Sequence, residues 1–86
     1  MKFEYDINKS LSNKQKHGID FEEAKFLWND DKMVEIKTSY ENEERFINIG
    51  KITPKIYAVI TTYRKVNIRI ISARRARKKE IEIYDS

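Results

Sequence analysis

The sequence predicts an α+β fold: a twisted, mainly antiparallel sheet with two N-terminal helices and one C-terminal helix, ordered β-α-α-β-β-β-β-α. Three observations predict it. Between Asp6 and Asn29 helix-capping residues bracket apolar residues at helical spacing. From Met33 to Ala73 the apolar period changes to two. Beyond Ala73 a helical stripe returns.

Met1 to Tyr5 reads as a short strand with Phe3 and Tyr5 facing one way. Asp6 is a good N-cap for a helix over about Ile7 to His17. Ile7, Leu11 and Lys14 share one stripe of it, and Asn13 and His17 form an i, i+4 pair on a more polar face. Gly18 follows as a C′ glycine, free to enter the left-handed region that ends helices. Asp20 with Glu23 makes a capping box for the second helix, with Ile19 and Ala24 as its hydrophobic staple. Phe21, Ala24 and Trp28 form its core face, and Asn29-Asp30-Asp31 ends it.

Four strands follow. Met33 to Thr38 alternates, as does Arg45 to Gly50. Ile56 to Tyr63 is β-branched and aromatic almost throughout, which places it centrally in the sheet. Pro54 belongs to the turn before it, Arg64 to Val66 is a short turn after it, and Asn67 to Ala73 is the last strand. The final helix is predicted over about Arg74 to Tyr84, with Ala73, Ala76, Glu80 and Tyr84 on one stripe. Its first turns carry Arg74, Arg75, Arg77, Lys78 and Lys79, and its last carries Glu82 and Asp85. Both ends oppose the helix dipole, at about 0.3–1 kcal/mol per charge. A local preference broken in this way points to a compensating partner.

Composition narrows the chemistry. Length reads residues 1–86 as a single domain. Without cysteine there are neither disulfides nor thiolate ligands nor a thiol nucleophile, and one histidine leaves no convincing metal set. Two glycines build neither a phosphate loop nor a dinucleotide fingerprint, so no cofactor is expected. No nucleophile elbow is present either. Neither a secretory leader nor a bilayer-length apolar run is visible, so the expectation is a cytoplasmic protein that engages no membrane.

Charge is segregated along the chain. Through Arg45 there are 11 acidic and 8 basic residues, whereas Phe46 to Lys79 holds 10 basic residues and no acidic one. Such a field recruits polyanions, and the alternative is a solvated lysine-rich surface. Metal-free RNA cleavage needs few parts, because the 2′-hydroxyl is the nucleophile. Groups that move protons and cations that hold the phosphate supply the rest. His17 is either a C-cap residue or a proton-transfer group. Glu44 beside Arg45 is a candidate base–cation pair or a polar turn. Arg64 and Arg69 lie in and after a hairpin turn, and Arg74 and Arg75 open the last helix, where N–H groups also face anions. Tyr40, Tyr57 and Tyr63 can stack bases or fill the core.

The run Tyr5-Asp6 … Asn13 … Lys16-His17-Gly18 … Phe21-Glu22-Glu23-Ala24 resembles the opening of BrnT-type toxins. So do Glu44-Arg45-Phe46 … Ile49-Gly50 and Ile68-Arg69-Ile70-Ile71-Ser72-Ala73-Arg74 with Ala76, Glu80 and Tyr84. The resemblance implies a RelE-like fold and a metal-independent endoribonuclease of a type II toxin–antitoxin system. It would inhibit translation and growth. A cognate antitoxin, with a ribbon-helix-helix DNA-binding domain, would neutralise it, and operator DNA would be met only through that complex. Motif positions carry Lys16, His17, Arg45, Arg69 and Arg74 over as catalytic, with Glu44 added as the carboxylate beside Arg45. Tyr63, Arg64, Lys65 and Arg75 are expected to bind RNA. Tyr5 stands where the family usually has Trp, Arg77 replaces a more typical Thr, and Lys51 to Lys55 lacks the usual Gly/Asp-rich turn. The rival readings are a non-catalytic nucleic-acid-binding module and a basic face built for an acidic protein partner.

Overall fold

Capping chemistry sets the first two helices. In the computed structural model, which describes residues 2–86, the Asp6 carboxylate accepts from the N–H groups of Asn8 and Lys9 at 2.8 and 3.2 Å. It starts helix α1, Ile7–His17, which Gly18 ends at φ 75°, in the left-handed region. The capping box of Asp20 and Glu23 starts α2, Phe21–Ala24, and a 3₁₀ segment, Lys25–Asn29, continues it. Met1 of the first predicted strand lies outside the described residues.

Helix α1 docks through its polar side. Ile7 and Leu11, the apolar stripe, are 68% and 63% exposed, whereas Ser10 and Asn13 are buried. Ser10 Oγ accepts from the Phe21 N–H at 2.9 Å, and Asn13 Nδ2 donates to the carbonyls of Ile19 (2.8 Å) and Ala73 (2.7 Å). These backbone groups sit where water does not reach, so each needs a partner from the protein. Satisfying them outweighs burying two aliphatic side chains.

Five strands form one mixed sheet in the order β1-β5-β4-β3-β2. They are β1 (Lys2–Glu4), β2 (Val34–Tyr40), β3 (Glu43–Ile52), β4 (Lys55–Arg64) and β5 (Asn67–Arg75). β1 runs parallel to β5, and the remaining pairs are antiparallel. β4 is central, as its composition predicts. One face of the sheet lies under the N-terminal helices, where Ile19, Phe21, Ala24, Leu27, Val59, Ile70 and Ala73 make the core. Leu27 is the fully buried member of the 3₁₀ segment. Trp28 is half-buried, set edge-on to Phe3 at 5.0 Å. Gly50 lets β3 pass beneath Leu27, since a Cβ there would meet Leu27 Cγ at 2.9 Å.

The β4–β5 register shifts by one residue. Ile60 faces Ser72 while Thr61 faces Ile70, so Ile71 is the extra residue of a bulge. Because of it, Ile70 and Ala73 both enter the core, and Arg69 and Arg74 both take the opposite face.

The last helix begins later than predicted. α3 spans Lys78–Asp85, and Arg74 and Arg75 belong to β5, opposite Ala58 and Tyr57. Helix-forming side chains lose here to ladder hydrogen bonds, and just past the strand the Ala76 N–H still donates to the Ile56 carbonyl at 2.9 Å. Neither arginine therefore opens a helix, though Lys78 and Lys79 remain in its first turn. α3 packs against β3, and its Tyr84 hydroxyl donates to Asp30 Oδ2 at 2.6 Å. No helix among the described residues is long and apolar enough to cross a membrane.

Candidate active site

At one end of the sheet two tight turns come side by side. The β2–β3 turn holds Glu41 and Asn42 at φ 48° and 65°, and the β4–β5 turn holds Lys65 at φ 57°. A side chain with a Cβ in this region costs of order 1 kcal/mol, and of these residues only asparagine is at ease there. Between the turns opens a cleft of about 720 Å³ whose walls include Glu4, Glu44, Thr62, Tyr63, Arg64 and Lys65. Four of the residues singled out in the sequence, Glu44, Tyr63, Arg64 and Lys65, thus meet in one place.

Two more stand on the sheet beside them. β3 and β5 flank β4, and Thr62 pairs with Arg69 on one side. On the other, one residue beyond the Phe46–Thr61 pair, Arg45 falls alongside Thr62. The two arginines therefore straddle Thr62 on one face, about 10 Å apart at their backbones. Each is held rather than loose. Arg45 Nε donates to Glu43 Oε1 at 3.0 Å, and its guanidinium lies 4.4 Å from the centre of the Tyr40 ring. Arg69 Nη1 donates to Glu4 Oε2 at 3.0 Å. Both arginine side chains are 28% exposed, which leaves them open to an anion.

The carboxylates divide by partner. The expected pairing of Glu44 with Arg45 does not form, because neighbours on a strand point to opposite faces. Arg45 takes Glu43, and Glu44 pairs with Lys37 at 2.7 Å in an exposed contact that solvent screens. Glu4 accepts from Asn67 Nδ2 as well as Arg69, and these bonds hold its carboxyl below the usual carboxylate range. The phenol of Tyr63 is raised by burial and by its hydrogen bond to Glu35 at 3.0 Å. Tyr63 also sets its ring edge-on to Phe46 at 5.0 Å.

Lys16, His17, Arg74 and Arg75 are not among the cleft walls. Lys16 and His17 are exposed at the end of α1, a helix that Asn13 ties to Ala73. Ala73 lies six residues along β5 from Asn67 and the hairpin, about 20 Å. Arg75 sits beside Tyr57, 6.0 Å from its ring centre. Arg74 is committed to α3: its Nη1 and Nη2 donate to the two oxygens of Glu80 at 2.8 and 2.9 Å. This pair lowers the carboxyl of Glu80 and raises the guanidinium of Arg74, each through the hydrogen bonds between them. Glu4, Glu43 and Asn67 were not visible as site residues in the sequence. The one signal for Glu4 was its alternation with Phe3.

A family described as ribonuclease toxin, BrnT, of type II toxin-antitoxin system matches residues 5–80. The chain belongs to the BrnT family. Of the residues at the cleft and its two arginines, only Glu4 lies outside the matched span. Membership makes the chain a ribonuclease toxin, with RNA as its substrate and an antitoxin as its partner. A search of curated proteins found no match.

Proposed function

We propose that this BrnT-family chain is a metal-independent endoribonuclease whose chemistry takes place in the cleft between the two turns. The observation that carries this reading is the meeting of Glu44, Tyr63, Arg64 and Lys65 in one cleft, beside Arg45 and Arg69. Glu43, the cleft-wall carboxylate that shares a face with Arg45 and Arg69, takes the proton of the substrate 2′-hydroxyl, while Glu44 on the other face of its strand lines the opposite wall. The 2′ oxygen bonds to phosphorus as the bond to the 5′ oxygen breaks, and that oxygen takes a proton from water in the open cleft. Arg45 and Arg69 stabilise the charge that gathers on the phosphorane. Arg64 and Lys65 hold flanking phosphates, and Tyr63 offers a face for base stacking. Lys16, His17 and Arg75 form a more distant basic surface for RNA beyond the cleft. Arg74 acts on the site only by holding α3 in place.

In this reading the chain works in the cytoplasm and arrests translation and growth. An antitoxin with a ribbon-helix-helix domain neutralises it and carries the complex to operator DNA. Growth and total RNA after induction of the chain alone, compared with Glu43→Gln and Arg69→Ala, test the proposal. Arrest and RNA loss should appear with the wild type only. Purified wild type that leaves RNA intact, with and without ribosomes, would return the cleft to the rival reading of a binding module.

A further inference from the structure

The edge strand β1 reaches into the site through one side chain. Glu4 pairs with Arg69 across the parallel β1–β5 ladder, and Arg69 pairs in turn with Thr62. The Glu4 carboxylate is fixed at both oxygens. Oε1 accepts from Asn67 Nδ2 at 3.0 Å, and Oε2 accepts from Arg69 Nη1 at 3.0 Å. Glu4 and Asn67 are also walls of the cleft, so the contacts that hold the arginine lie at the cleft's edge. Its side chain is 31% exposed.

An arginine carries four χ torsions between backbone and guanidinium group, and a lone cation at the rim of a cleft samples many of their wells. A carboxylate fixed by a second donor removes that freedom on one side of the planar fork and leaves the other side for an anion. Arg45 is prepared in the same sense by Glu43 and the Tyr40 ring.

We propose that Glu4 is a positioning residue for RNA cleavage: with Asn67 it holds the Arg69 guanidinium aimed at the scissile phosphate over Thr62. The inference rests on the proposed chemistry of the cleft. Glu4 acts through Arg69 and touches neither reacting oxygen. Its loss should therefore slow the chemical step more than it weakens RNA binding, since a misaimed group costs rate before affinity.

The test is a cycle of four full-length proteins, wild type, Glu4→Gln, Arg69→Lys and the double variant, cleaving a labelled RNA oligonucleotide. Glu4→Gln should lower kcat by about 10-fold or more with KM nearly unchanged. The double variant should be no slower than Arg69→Lys alone, because residues that act as a unit are not additive. Full activity in Glu4→Gln, or losses that multiply in the double variant, would overturn the proposal. So would a loss that follows the melting temperature and vanishes on cooling, since that marks a merely structural strut. The Arg69 side-chain NMR signal reads the brace without turnover. It should sharpen in the wild type and broaden in Glu4→Gln, and an unchanged signal refutes the brace whatever the activity. A wild-type protein that cuts no RNA but shows this broadening sinks the ribonuclease reading alone.

Discussion

Two ends of one sheet face hold the same kind of residue and use it differently. Near the β4–β5 turn, Arg45 and Arg69 each meet a single carboxylate and remain partly open beside a cleft. At the other end of β5, Arg74 is gripped at both guanidinium nitrogens by Glu80, and the two side chains are 17% and 14% exposed. Residue type and strand are shared by Arg69 and Arg74, so neither decides the role. What decides it is whether the chain closes over the ion pair. α3 roofs one end of the face, and its Glu80 completes the fork, whereas the hairpin end has no such cover.

Measurements that should separate the two ends also show how this comparison fails. The largest effect is expected at the open end. Arg69→Ala should reduce RNA cleavage by about 10²–10³-fold, the usual loss for a donor aimed at developing charge. Its stability should change by only about 0–1 kcal/mol, as for an exposed pair. A variant that melts early yet still cuts RNA would reverse the assignment.

Arg74→Met should do the opposite. Leaving Glu80 with two unmade charged hydrogen bonds should cost about 1.5–3 kcal/mol. For a domain of this size that lowers the melting temperature by roughly 10–20 °C. Below that temperature cleavage should stay within about twofold of wild type.

The pH dependence of stability sharpens the contrast. Hydrogen bonds from Arg74 and the Arg77 N–H depress the folded-state value of Glu80 below its ordinary 4.5. A carboxyl with a depressed value stabilises the fold above its unfolded value and loses that contribution as pH falls through the folded one. Acid melts should therefore show stability declining below about pH 4.5, with a shallower decline in Arg74→Met. An identical acid profile in the variant would mean that the clamp does not form in solution.

The smallest effect is expected at His17. His17→Ala should shift stability by less than about 0.5 kcal/mol and leave cleavage within about twofold. A loss of 100-fold there would move the chemistry to the end of α1 and leave the cleft as a binding surface.

What could be read ahead of the structure was whatever depends on near neighbours in the chain. Asp6, Gly18 and the Asp20–Glu23 box act over at most four residues, and each stands where its chemistry requires. The β-branched run of β4 also announced its central place. Long-range partners were hidden. Helix α1 turned its apolar stripe outward because Asn13 answers a carbonyl 60 residues away. Arg74 and Arg75 look like the start of a helix until β4 offers them a ladder. At the site, Tyr63, Arg64 and Lys65 were legible because a hairpin turn gathers them. Glu4 was not, since its partners Asn67 and Arg69 lie 63 and 65 residues on, across a parallel pairing that no turn connects.

The bulge at Ile71 carries a consequence of parity. Arg69 and Arg74 are separated by an odd count, and in an unbroken strand they would point to opposite sides. One surplus residue between them turns odd into even, so that the cleft arginine and the clamp arginine share a side while Ile70 and Ala73 still reach the core. Deleting Ile71 would take out that surplus and leave Arg69 and Arg74 an even count apart, so the remaining side chains would keep the sides they already hold. A second residue inserted beside it would instead shift the strand's phase and drive Arg74 under α1 and Ala73 out toward α3. Tolerance to single-residue deletions along β5 should therefore peak at this place.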